Sequence, residues 1–211
     1  MRLHVALKFP RCGQLYLASG TRRVCKYCFV NKFLRAVASG LAAGTVLASC
    51  NRVDFGPKEG YTEKDVQNYP TGEVDKTDWT ADGSWDKQER DLFKDSGVNL
   101  NAAGRGAFNS IGLYPNPCAE YVHFYLGNRP VRNTPAPAAE PLQMRAVVVD
   151  KKYRPVHRFA GPANAGSEQK FAVQFPADKF EDGKLYRLYY VVYDANNQLY
   201  LKGHGDIKIK R

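Results

Sequence analysis

The residue types that most often carry chemistry are few in this chain: five cysteines, four histidines and scattered serines. Cys25 and Cys28, in the run CKYC, have the C-x-x-C spacing of a zinc knuckle or a thioredoxin-like redox turn, and His4 and Cys12 would complete four ligands. Zinc sites usually bring two closely spaced pairs, and a redox turn needs a strand and a helix around it, so the motif is weak and no metal is expected. Cys118 and His123 would make a nucleophile and base, but five residues along a strand separate them by about 16 Å at about 3.3 Å per residue. Cys118 is therefore expected to flank a turn. GHGD at 203–206 sets His204 and Asp206 on one side of a turn or strand, and the expectation is a turn with a solvent-exposed imidazole. Asp75, Asp78, Asp82 and Asp86 lack the alternating pattern, glycine and final glutamate of a calcium loop. None of Ser84, Ser96, Ser110 and Ser167 lies in a G-x-S-x-G elbow, and neither H-E-x-x-H nor a phosphate-binding glycine loop occurs. No catalytic set can be assembled, so the protein is expected to act without catalysis or a cofactor.

Binding is the chemistry that remains. In YVHFYL, Tyr121, His123 and Tyr125 alternate with Val122, Phe124 and Leu126. A strand that buries the second set turns the first outward, as a stripe suited to stacking on sugar rings or a protein partner. Ordinary cross-strand packing in a tyrosine-rich sheet is the competing reading.

The elements that must position these residues are mainly strands. KFAVQF places Phe171, Val173 and Phe175 on one face, with Ala172 and Gln174 on the other. Further strands are predicted near 108–114, 142–150, 153–159, 184–194, 198–203 and 205–210. Turn chemistry at Asp150-Lys151-Lys152, Asp182-Gly183 and Asp194-Ala195-Asn196-Asn197 separates several of them. Seven or eight strands in about a hundred residues predict an antiparallel β-sandwich over 107–211, with Val122, Phe124, Phe171, Val173, Phe175 and Val191 in its core. The proline-rich NRPVRNTPAPAAEP reads as a surface loop. LYRLYYVVYD is apolar on both faces, Leu185, Tyr189, Val191 and Tyr193 opposing Tyr186, Leu188, Tyr190 and Val192. Such a strand must be central and covered on both sides, by the second sheet and by a helix or tether. The covering helix is predicted in 84–106, capped by Ser84, with Trp85, Leu92 and Phe93 on its inner face and Gly97 as its stop. Before it, the polar stretch 50–83 reads as a flexible tether.

The charge is unevenly spread. The net +10 arises in residues 1–50, which carry eight Lys or Arg and no acid, leaving 23 basic against 21 acidic side chains beyond. A nucleic-acid partner is thereby excluded from the expectation. From Val30, VNKFLRAVASGLAAGTVLASC has the build of a secretion signal, with Lys32 and Arg35 before a short apolar run. Fourteen uncharged residues, Ala36 to Ser49, fall short of the roughly twenty that span a bilayer.

Leu47-Ala48-Ser49-Cys50 resembles the lipobox of bacterial lipoproteins. The resemblance implies a signal peptide over 30–49, an upstream extension over 1–29, and acyl chains on Cys50 that hold the protein to the outer membrane of a Gram-negative envelope. GLYPNPCAEYVHFYL, MRAVVVDKKYRPVHRF and the closing GDIKIKR together resemble the C-terminal sorting domains of type IX secretion cargo. That likeness implies an immunoglobulin-like sandwich and, as an alternative function, export or sorting. The principal expectation is a lipid-anchored protein whose sandwich binds an envelope protein or glycan.

Overall fold

A computed structural model describes Phe55, residues 60–135 and residues 137–211. The cysteine motif, signal peptide and Cys50 lie outside these residues. Eight strands and one short helix follow in the order β1 (Thr80–Ala81), α1 (Lys87–Asp91), β2 (Ser110–Tyr114), β3 (Tyr121–Gly127), β4 (Pro141–Val149), β5 (Pro155–Asn164), β6 (Gln169–Gln174), β7 (Leu185–Tyr193) and β8 (Leu199–Lys208).

The strands form two antiparallel sheets, of order β1-β8-β7-β4-β5 and β2-β3-β6, packed as a sandwich. Period-two alternation explains which side chains meet between them. Val122, Phe124 and Leu126 of β3 and Val173 of β6 face Met144, Ala146 and Val148 of β4 and Leu188, Tyr190 and Val192 of β7. Phe175 joins this core and Phe171 packs against it partly buried, as the alternation predicts. Val191 is also buried, but in a second apolar cluster on the far side of β7, which corrects its placement in the inter-sheet core.

That second cluster answers the two-faced pattern of β7, which is indeed central in its sheet. Tyr189, Val191 and Tyr193 join Val147 and Val149 of β4, and Trp85, Leu92, Phe93, Leu100 and Phe55 cover them. The helix is shorter than its apolar spacing suggests, and its cap is Asp86 instead of Ser84. Asp86 accepts from Glu89 N at 3.0 Å while its own N donates to Glu89 at 2.7 Å, closing a capping box. Trp85 is thereby left just outside the helix, stacked on Phe93 with ring centres 5.6 Å apart.

Two further expectations are corrected. The separate strands at 198–203 and 205–210 are one ten-residue strand, β8, running straight through GHGD. Gly203 and Gly205 permit this, because a Cβ at either would collide with the Tyr190 or Trp79 ring laid across them. The tether is also, from Gly60 onward, an arm built into the fold. Lys64 exchanges backbone hydrogen bonds with Asn116, and β1 pairs with the edge of β8.

Candidate functional site

The smaller sheet has one face in the core and one outside, and the outer face gathers the aromatic stripe. Antiparallel register sets Tyr114 of β2 opposite His123 of β3, and Ala172 of β6 on the other side of His123. The Tyr114 and His123 rings lie 5.2 Å apart, and Lys170 Nζ stands 6.0 Å from the Tyr114 ring centre. Tyr121 is 66% exposed, and His123, Ala172 and Lys170 are exposed further along the same face. Small Ala172 leaves the imidazole face uncovered on that flank.

Tyr125 departs from the expectation of an outward, available stripe, since only 4% of it is exposed. Its ring lies over Gly112, where a Cβ would sit 2.4 Å from the phenol oxygen, and the arm closes over it. Lys64 Nζ donates to Tyr125 Oη at 2.6 Å, and that hydroxyl reaches Asn68 Oδ1 at 3.4 Å. Lys64 and Arg129 also flank the ring at 5.2 and 5.3 Å from its centre. The open part of the face is therefore Tyr121, His123 and the partly exposed Tyr114. Tyr114 ends the strand predicted near 108–114 and leads into the Tyr114-Pro115-Asn116-Pro117 turn, outside the stripe read from YVHFYL. Asn116 of that turn is fully buried, donating to Asp206 O at 2.9 Å and accepting from Lys208 N at 2.9 Å, so the turn ties the small sheet to β8.

A polar network docks the arm along the same edge of β8. Asp206 is buried and takes a bidentate contact from Arg187, Nε to Oδ1 at 2.6 Å and Nη2 to Oδ2 at 2.9 Å. Burial alone would lower the Arg187 pKa, but the hydrogen bonds and charge of Asp206 outweigh it and hold the guanidinium charged. Asp206 also accepts from Gly60 N, and Asp78 accepts from Asp206 N at 2.6 Å and Thr62 N at 2.9 Å. Burial pushes the Asp78 carboxyl up to about 7, against the two N–H donors that favour its ionised form; the charges of Asp206 and Asp75 add to the rise. His204 is buried, not exposed on a turn. Its Nδ1 lies 2.7 Å from Asp82 Oδ2, which also accepts from Trp85 Nε1 at 2.7 Å.

These groups are structural in their contacts. Cys118 is buried, and burial pushes its thiol up to about 12, so it is protonated and inert at neutral pH. Its backbone bonds Lys208 and Lys210, joining the two sheets beside the turn. Among the described residues no group of three His, Cys, Asp or Glu is placed to hold a metal.

No family model and no curated protein matches the chain. Among solved structures, a glycosyl hydrolase family 2 member from Bacteroides cellulosilyticus aligns with 48% of this chain at 13% identity and a TM-score of 0.34. The aligned part is 15% of that enzyme's chain.

Proposed function

We propose that this chain is a cell-envelope lipoprotein, acylated at Cys50, whose sandwich binds a glycan without catalysis on the open face of its smaller sheet. The observation that carries the binding site is the row of Tyr114, His123 and Tyr121, set on rigid strands beside exposed Lys170. Aromatic faces are electron-rich and flat, so they take the C–H face of a pyranose, while a flanking cation and the imidazole bond its hydroxyls or carboxylates. The anchor rests on the Leu-Ala-Ser-Cys run and the short apolar segment before it.

Titration of the mature protein with envelope polysaccharides measures the first claim. Replacing Tyr121 and His123 by alanine is expected to weaken glycan binding at least tenfold, as for central aromatic anchors elsewhere. Unchanged affinity would remove this face from the reading, and capture of a protein in place of a glycan would redirect it. Mass spectrometry of the membrane fraction tests the anchor, which requires a lipid-modified N-terminal Cys50.

A further inference from the structure

The cover over the larger sheet borders β4 and β5 at Phe93 and Asp95, and two arginines share that border. Antiparallel register sets Arg145 opposite Ala160 and Val147 opposite Arg158. Residues paired across a ladder lie on one side of the sheet, and Val147 belongs to the outer cluster, so all four share the outer face. Arg145 and Arg158 are diagonal neighbours on it, a spacing that long side chains bridge. A groove of about 300 Å³ is lined by these residues with Phe93, Asp95 and Phe159. Opposite Arg145, Ala160 offers no atom beyond Cβ to fill the space.

The lining combines charge with apolar surface. Arg158 Nη1 donates to Leu92 O at 2.9 Å, which holds the guanidinium against the cover while its other N–H groups remain for a ligand. Among the described residues it has no carboxylate partner. Arg145 faces Asp95 at 3.7 Å, and both side chains are well exposed, so this surface pair is weak and an incoming anion can replace it. Two guanidinium groups and one carboxylate leave a single positive charge in the lining, which matches a monoanion. A guanidinium fork fits the two oxygens of a carboxylate. Buried Phe93 and Val147 and half-buried Phe159 supply the apolar part. The volume is at the low end for ligand sites, so the occupant is small.

We propose that this groove binds a small carboxylic acid with an apolar body, its carboxylate held by Arg145 and Arg158. The site lies on the larger sheet, so it depends on neither the acyl anchor nor the glycan face of the smaller sheet.

Calorimetric titration of the full chain with phenylacetate, phenylacetamide and acetate tests this, because the amide lacks the charge and acetate lacks the body. Phenylacetate should bind one site at least tenfold more tightly than either control. Arg145→Gln and Arg158→Gln should each abolish the preference for acid over amide. Ala160→Leu fills the groove from an exposed position that tolerates substitution, and should weaken phenylacetate at least tenfold with the melting temperature unchanged. Replacing Tyr121 and His123 together by alanine should leave phenylacetate affinity unaltered, which separates this site from the smaller sheet. Equal affinity for acid and amide would overturn the role of the arginines, and acetate matching phenylacetate would reduce the groove to an adventitious anion site. Tighter binding of benzylphosphonate would overturn the assignment to a monocarboxylate. Undiminished binding in all three groove variants would overturn the location.

Discussion

The two sheets of this sandwich have outer faces with opposite fates. On the larger sheet, Val147, Val149, Tyr189, Val191 and Tyr193 lie under Trp85, Leu92, Phe93, Leu100 and Phe55, and the face is sealed. On the smaller sheet, the arm covers Tyr125 and leaves Tyr121 and His123 to solvent. The chemistry of the strands accounts for the difference. An aliphatic and aromatic face in contact with water is unfavourable by about 25 cal/mol per Å², which drives the Trp85–Leu100 segment onto it. A face of Tyr, His, Lys and Gln has polar tips that water satisfies, so it can stay open at little cost. Sealing one side stabilises the scaffold, and the open side is the face proposed above for recognition.

The comparison can be broken most severely on the sealed face. Phe93→Ala removes a ring that packs on Trp85 at the centre of the cover, and is expected to cost about 3–5 kcal/mol in denaturant unfolding. A loss below about 1 kcal/mol would mean that the cover is not part of the cooperative unit.

The arm should respond to pH. Asp78 titrates near 7 in the folded protein and near 3.9 in an unfolded chain, so between those values the native state holds a proton that the unfolded state has released. Stability from this group is fully present below about pH 4 and is lost as pH rises through 7. Melting temperature should therefore fall from pH 5 to pH 8, and Asp78→Asn should flatten that slope. A slope unchanged in the variant would assign the effect to another group.

On the smaller sheet the effects shrink. Tyr125→Phe deletes the bonds to Lys64 and Asn68 but keeps the ring, for an expected loss of about 1 kcal/mol. Tyr121→Ala, at an exposed position, should change stability by no more than about 0.5 kcal/mol. A large loss there would mean that the outer stripe is structural and the two faces are less different than they look.

Much of the fold is readable before any coordinates, because it follows from local alternation. The period of YVHFYL and KFAVQF sorts inward from outward residues correctly at Val122, Phe124 and Val173. The double apolar face of LYRLYYVVYD demands both a sheet partner and a cover, and Trp85, Leu92 and Phe93 supply the cover. The turn at Asp194 is equally local: its carboxylate accepts from Asn196 N and Gln198 N at 2.8 and 2.9 Å, with Asn197 at φ 58°. The open part of the candidate site was legible only in part, since Tyr121 and His123 belong to the stripe whereas Tyr114 comes from a different strand.

What the chain alone determined, then, is the set of strands, the side each strand must hide and the need for a cover over β7, since these depend on spacings of two residues and on the insolubility of apolar groups in water. Only the tertiary structure decided that the polar stretch after Gly60 is an arm, that Tyr125 lies beneath it, and that GHGD is a buried strand. Those outcomes depend on hydrogen bonds between groups far apart in sequence, such as Asp206 N to Asp78 across 128 residues and Lys64 to Tyr125 across 61. A polar residue reads the same whether water or a distant partner satisfies it, and burial is favourable only once the fold has brought that partner within bonding distance.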